Sequence, residues 1–287
     1  MSGESSQADQ AAVVIHIHNL EAPFRAASVS FHRSLADSIL PAESGCAYTV
    51  AHTLPDRRVI RFERHLQRLF ESARQLGYEP EVDASSIRRL LSEALERYGY
   101  QRSRFRITLP RDGGLIVAIE PYHGVPQALR THGIECALVP HSARGNPATK
   151  TTSWIAARSG LTDQRVYEVL LCDEHDYVLE GSSSSVFFVS GEDQSPVLRT
   201  AGSGILKGVT RAIILEIVEP DFRVIPSAVH RTELDRMKEA FICSSTRGVV
   251  PIRRIGDIAY PAPGASTDRI SRRYDDWVEA HAQPLLI

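Results

Sequence analysis

Lysine is nearly absent from this chain: of its 33 basic residues 30 are arginine, and only Lys150, Lys207 and Lys238 remain. A guanidinium stays protonated at any ordinary pH. Arginine can therefore replace lysine as a plain positive charge, but not as an amine that must lose its proton and attack a carbonyl. Each surviving lysine is a candidate for chemistry. Cysteine is sparse as well. Cys46, Cys136, Cys172 and Cys243 stand far apart, with no CxxC pair and no Cys/His spacing of the zinc type, and free thiols in a reducing compartment fit them best. His16 and His18 share a strand face but have no acidic or cysteine partner nearby in sequence, so no metal is expected. Excess charge of one sign is missing: 35 acidic residues against 33 basic leave a net charge of -2, and no broad polycation is available to draw in nucleic acid. No apolar run approaches the roughly 20 residues that span a bilayer. The polar start MSGESSQADQAA has neither the basic nor the apolar region of a signal peptide. A cytoplasmic protein with no membrane or nucleic-acid partner is the expectation.

What is present is ordinary globular material: 287 residues, 43% hydrophobic and 24% charged, enough for about two domains. A strand is predicted over 12–18, and a hairpin over 46–59 turning at LPDRR. Leu66, Leu69, Phe70, Ala73 and Leu76 recur at helical spacing. A second helix is expected over 83–98, capped by Asp83 or Ser85. Strands at 103–110 and 114–121 flank the turn Arg111-Asp112-Gly113-Gly114, a hairpin signal. Turn formers at 122–127 then mark a boundary. The expectation is an α+β architecture, with a small domain over 1–123, a linker at 124–127 and a larger, more strand-rich domain over 128–287. In the latter, helices are predicted at 152–159, 211–218, 231–240 and 267–282.

Four places carry candidate chemistry. Lys150 ends the polar loop HSARGNPATK just before an apolar helix, a position near an interdomain crevice where burial would favour the neutral amine; the plainer reading is a salt-bridged loop lysine. Glu180 closes one strand just before Ser182–Ser185 and the apolar run VFFV. A carboxylate there is costly unless paired, and a protonated ring nitrogen of a cofactor would pair it; the plainer reading points it into water. The loop AGSGILKGVT at 201–210 leads into a helix, with Thr210 as N-cap, and reads as a phosphate cradle or as a plainly capped helix. It fits neither the P-loop nor the dinucleotide fingerprint, because Lys207 precedes Gly208 and fills the third glycine position. Ser244, Ser245 and Thr246 form a hydroxyl-rich turn suited to a phosphate or a substrate carboxylate.

Taken together, a lysine after a loop, LEGSSSSVFFV, GILKGVTR and RFERHLQRL resemble the fold-type IV pyridoxal-phosphate enzymes, the group of branched-chain and D-amino-acid aminotransferases and aminodeoxychorismate lyase. The resemblance spans about 48–251. It implies a small α+β domain and a larger pseudo-barrel α/β domain with pyridoxal 5'-phosphate (PLP) between them, and a homodimer. By matching position, Lys150 is the Schiff-base lysine, Glu180 the partner of the pyridine nitrogen and Arg68 the phosphate-binding arginine. The backbone N–H groups of Val209 and Thr210 match the phosphate cradle, and Leu206 the residue packed on the ring. Ser245 matches a phosphate or substrate contact beside Ser244 and Thr246, and Tyr48 an active-site tyrosine. Lys207 and Lys238 are left without Schiff-base duty. Thr49 stands where the family usually has Glu, and the Arg-x-His carboxylate trap of the D-amino-acid enzymes is absent after Arg111. The implied activity is PLP-dependent transfer of an amino group from an amino acid, branched-chain by preference, to a 2-oxo acid. Lyase-type β-elimination and a non-catalytic PLP-binding role are the alternatives.

Overall fold

The computed structural model describes residues 12–20, 25–39, 43–161, 165–192 and 194–285. The chain forms two compact units, one of Met1–His123, Thr149–Ile155 and Ala282–Ile287, the other of Gly124–Ala148 and Ala156–His281. The division expected at 124–127 accounts only for the first crossing. Thr149–Ile155 returns to the first unit, and it carries Lys150.

In the first unit β1 (Ala12–Ile17), β2 (Ser28–His32) and β3 (Ala47–His52) precede the two-residue β4 (Arg58–Val59), helices α1 (Phe62–Gln75) and α2 (Ala84–Tyr98), and strands β5 (Ser103–Leu109) and β6 (Leu115–Pro121). The sheet runs β2-β1-β6-β5-β3, antiparallel throughout. Alternate residues of the strands, such as Val13 and Ile15, Phe105 and Ile107, Val117 and Ile119, pack with Leu66, Leu69 and Ala73 of α1 and Ile87, Leu90 and Leu91 of α2. The period of two in the strands thus meets the helical period in one core. Asp83 caps α2, accepting from the Ser86 N–H at 2.7 Å.

Two expectations fail here. Residues 46–59 make no hairpin: β3 pairs with β5, Tyr48 opposite Thr108, and β4 pairs with Gln283–Pro284. The LPDRR turn is a 3-10 turn at Pro55–Arg57 with Asp56 and Arg57 at positive φ. It leaves β4 only two residues long, too short to serve β3 as a ladder. Strand β2 was not anticipated, because SVSFH is short, has no buried residue and lacks a clean apolar alternation.

The sheet's other face carries Val14, Ile116 and Ala118 with Leu35, and also Arg106. This arginine is 2% exposed and Glu43 fully buried. Its guanidinium donates to the carbonyls of Leu35 (2.8 Å) and Ser38 (3.1 Å) and to both Glu43 oxygens at 3.3 Å.

The second unit contains α3 (Gln127–His132), β7 (Ile134–Val139), the second half of α4 (Thr152–Ser159), β8 (Glu168–Cys172), β9 (Tyr177–Gly181), β10 (Ser185–Glu192), β11 (Ser195–Arg199), α5 (Val209–Ile217), β12 (Arg223–Ile225), β13 (Val229–His230), β14 (Glu239–Ser244), β15 (Gly248–Ile255), β16 (Ile258–Ala259) and α6 (Ala265–His281). Its mixed sheet runs β12-β11-β10-β14-β15-β7-β8-β9-β13, with β16 on β15. Strands β8 and β14 are almost wholly buried, as continuous apolar runs in mixed sheets usually are. The helix expected over 231–240 is a 3-10 helix ending at Arg236, since Glu239 already belongs to β14.

Replacing Arg106 by Met would strand the Glu43 carboxylate in the interior, at a cost of about 3–5 kcal/mol. Urea midpoints are expected to fall accordingly for Arg106→Met and to recover in part when Glu43→Gln is added.

Candidate functional site

In the first unit the site is built around the peptide of Lys150. Its N–H donates to the Ser72 hydroxyl at 3.0 Å, and its carbonyl accepts from the Tyr48 N–H at 3.1 Å. Before it, Thr149 donates its hydroxyl to the Gln75 side chain at 2.7 Å. After it, the Thr152 N–H donates to the Cys46 carbonyl at 2.9 Å, and the Thr152 hydroxyl donates to the Glu43 carbonyl. With its backbone held on both sides, the half-buried Lys150 places its amine 4.7 Å from the centre of the buried Tyr48 ring. Lys207 and Lys238 are exposed.

Helix α1 supplies the rest. His65, Arg68, Ser72 and Gln75 follow at spacings of three and four, one stripe of one helix face. The His65 Nδ1 lies 2.9 Å from the Thr49 hydroxyl, which also accepts from Arg68 Nη2 at 3.5 Å. Burial, and then the charges of Arg68 and Lys150, push His65 well below its ordinary value. With the neutral ring's Nδ1 as acceptor, the Thr49 hydroxyl donates to His65 and its oxygen faces Arg68. Tyr48, Arg68 and Lys150 thus lie near one another, along with three residues sequence reasoning did not single out as a group: Thr49, His65 and Ser72.

In the second unit Glu180 lies on β9 at 4% exposure, which excludes a carboxylate pointing into water. It accepts from Arg144 Nη1 at 3.4 Å and from the Leu206 N–H at 3.1 Å. Helix α5 begins at Val209, with Gly208 as N-cap and no side-chain cap. Thr210 is therefore not the N-cap; it sits inside the first turn. The first intrahelical bond runs from the Ala212 N–H to the Gly208 carbonyl. The amides of Val209 and Thr210 are left at the positive end of the helix, where anions bind. A side chain at Gly208 would meet the Ser185 hydroxyl at 3.1 Å, so the chain packs closely at the start of this helix.

The serine run does not surround Glu180. Ser182, Ser183 and Ser184 all donate to Glu168 on β8, which also accepts from Arg247 Nη1 at 2.8 Å. Burial alone would raise the Glu168 carboxyl; the Arg247 charge and the hydroxyls outweigh it and hold it below its usual value. Arg247 closes the Ser244–Thr246 turn between β14 and β15, donating from Nε to the Ser244 hydroxyl at 3.0 Å. A cavity of about 210 Å3, lined in part by Arg158, Tyr167, Glu168 and Ser183, opens beside this network. Among the described residues no group of His, Cys, Asp and Glu is arranged to hold a metal, and no helix is long and apolar enough to cross a membrane.

A family model described as amino-transferase class IV matches residues 48–255. The chain belongs to the class IV aminotransferases. Among its curated relatives, this aminotransferase is 26% identical over 265 residues to a Thermotoga maritima protein named "Probable branched-chain-amino-acid aminotransferase", covering 88% of this chain and 93% of the relative. It is 23% identical over 258 residues to the branched-chain-amino-acid aminotransferase of Pseudomonas aeruginosa, covering 78% and 81%. Its fold matches the crystal structure of the Thermobaculum terrenum branched-chain amino acid aminotransferase in PLP form, with a TM-score of 0.76 at 16% identity, over 96% of this chain and 99% of that one. The architecture is therefore the two-part α+β fold of fold-type IV.

The His65 ring should keep its neutral NMR pattern as pH falls through 6.5. Because the unfolded chain protonates this ring first, His65 contributes stability that is fully present above about pH 6.5 and is lost below it, at up to about 1.4 kcal/mol per pH unit. Urea midpoints at pH 7.5, 6.5 and 5.5 should show that fall, and His65→Gln should flatten it.

Proposed function

We propose that this class IV aminotransferase binds PLP and moves the amino group of a branched-chain amino acid to a 2-oxo acid. The observation that carries the reading is Lys150: a half-buried amine with its peptide fixed on both sides, in a chain whose other two lysines are exposed. The donor set fits the cofactor. The glycine-flanked, uncapped start of α5 and the guanidinium of Arg68 suit a phosphate, Glu180 is a buried carboxylate suited to a ring N–H, and Lys150 is an amine suited to an aldehyde.

When bound, PLP supplies an aldehyde for amine exchange and a ring that takes up the electrons released at the substrate α-carbon. The residues do the rest. Arg68 and the Val209 and Thr210 amides hold the phosphate. Glu180, paired with Arg144, holds a proton on the ring nitrogen, and Leu206 packs on the ring. With PLP held there, Lys150 Nζ would carry the proton away from the substrate α-carbon and deliver it again to complete the transfer. Tyr48, Ser244, Ser245 and Thr246 contact the substrate. The branched-chain preference follows the names of the relatives. A homodimer in the cytoplasm belongs to the same proposal, supported by family likeness and by four buried free cysteines. Lyase-type β-elimination and a non-catalytic role have less support, since the relatives are named as transaminases.

The purified protein with PLP should show a visible absorption band that borohydride traps on Lys150. Lys150→Ala should lose it, along with amino transfer, by at least about 10^2–10^4-fold. Trapping on Lys207 or Lys238, or no transfer from any of a broad panel of amino donors, would sink the proposal; pyruvate release from aminodeoxychorismate would favour the lyase.

A further inference from the structure

The proposed roles leave one buried ion pair of the second unit unused, and it lies among the residues assigned to substrate. Arg247 makes four donations to three chain segments. Nε donates to the Ser244 hydroxyl at 3.0 Å, Nη1 to Glu168 at 2.8 Å, and Nη2 to the Ser183 carbonyl and hydroxyl at 2.8 and 2.6 Å. Glu168 in turn gathers the hydroxyls of Ser182, Ser183 and Ser184. One guanidinium plane therefore ties the turn after Glu180 to the Ser244–Thr246 turn. It also sets a direction. Ser244 Oγ accepts from Nε, so its own proton points away from Arg247 and can donate to an acceptor beyond. Ser183, by contrast, accepts from Arg247 and donates to Glu168 at 2.8 Å, so its hydroxyl is committed within the brace.

We propose that Arg247 is a positioning residue: braced by Glu168, it fixes the Ser244 hydroxyl as an outward donor and so tunes the site to the carboxylate of its substrates. This rests on the transaminase reading for the role of the turn. The planar fork of arginine is essential to it. Lysine at 247 would keep a positive charge near Glu168 but offers one nitrogen, which cannot reach Ser244, Glu168 and Ser183 together. Arg247→Lys thus separates geometry from charge.

The test uses PLP-loaded protein and two non-transaminating comparisons in calorimetry: 4-methylpentanoate, a branched carboxylate without an amine, and isopentylamine, a branched amine without a carboxylate. Arg247→Lys should bind the carboxylate about tenfold more weakly, the scale of one charge-supported hydrogen bond, and bind the amine as wild type does. The KM for the amino acid should rise by the same factor with kcat little changed. Equal carboxylate binding in the two proteins, or equal weakening of both probes, would overturn the inference. Should Arg247→Lys fail to fold, Ser244→Ala, which removes the oriented hydroxyl alone, must show the same carboxylate-specific loss; wild-type binding there overturns it equally. The two readings fail separately. Arg247-dependent carboxylate binding without any amino transfer would sink the transaminase, whereas normal amino transfer with carboxylate binding indifferent to residue 247 would sink only the positioning role.

Discussion

The peptide of Lys150 is hydrogen-bonded at both its N–H and its carbonyl, and the first unit is organised so that this is possible. Strand β3 is an edge of the five-stranded sheet. Its outward backbone groups would otherwise have to face water or another chain. The return of the chain at Thr149–Ile155 occupies that edge: Thr151 bridges to Ala47, the Tyr48 N–H reaches the Lys150 carbonyl, and the Thr152 N–H reaches the Cys46 carbonyl. An edge strand is thereby covered, and the amine of Lys150 is aimed by the same bonds. A lysine on a freely moving loop would have to be ordered anew each time it acted; here the backbone ordering is already part of the fold.

This arrangement reaches through the sheet. The Glu43 carbonyl accepts from the Thr152 hydroxyl, while the Glu43 carboxylate is the counter-charge of Arg106 on the inner strand β5. The buried pair is weak grounds for stability in itself, because desolvation offsets much of the attraction. Its effect is to fix where residue 43 lies, and with it one anchor of the lysine segment. On the other side of that segment, the α1 stripe of His65, Arg68, Ser72 and Gln75 interrupts an otherwise apolar helix face. Each of its members has a buried or half-buried partner, which is the condition for keeping polar groups there.

Much of this frame could be read from local pattern. The amphipathic spacing of α1, the Asp83 cap of α2 and the Arg111–Gly114 turn between β5 and β6 are short-range signals, and they hold. Lys150 stood out because arginine had displaced lysine almost everywhere else. What could not be read is what depends on distant partners. Cys46 and Thr152 meet across 106 positions and Arg247 and Glu168 across 79; nothing near either residue announces the other. The hairpin placed at 46–59 failed for the same reason, since β3 found a longer partner in β5. Thr210 was read as a cap from its residue type, yet the chain turned two residues earlier, at Gly208. A faint signal did exist for Glu168: a carboxylate opening the apolar run EVLLC can be buried only with partners of its own.

The serine run shows how such a partner changes the reading of a motif. Glu168 and Glu180 sit on neighbouring strands, β8 and β9, and both are buried carboxylates. Along the sequence, the hydroxyls at 182–184 stand nearest to Glu180. The structure gives them to Glu168, which with Arg247 then has four donors on two oxygens, about the capacity of an ionised carboxylate. A ring N–H could reach Glu168 only by displacing one of them. Glu180 instead takes a backbone N–H from Leu206 and a longer contact from Arg144, both from segments that border the proposed cofactor residues. Two acids of the same type, one strand apart, are thus divided by their donors. One is closed into a brace between two turns, and the other, bonded to Leu206 and Arg144, is the one proposed to hold a proton on the cofactor ring.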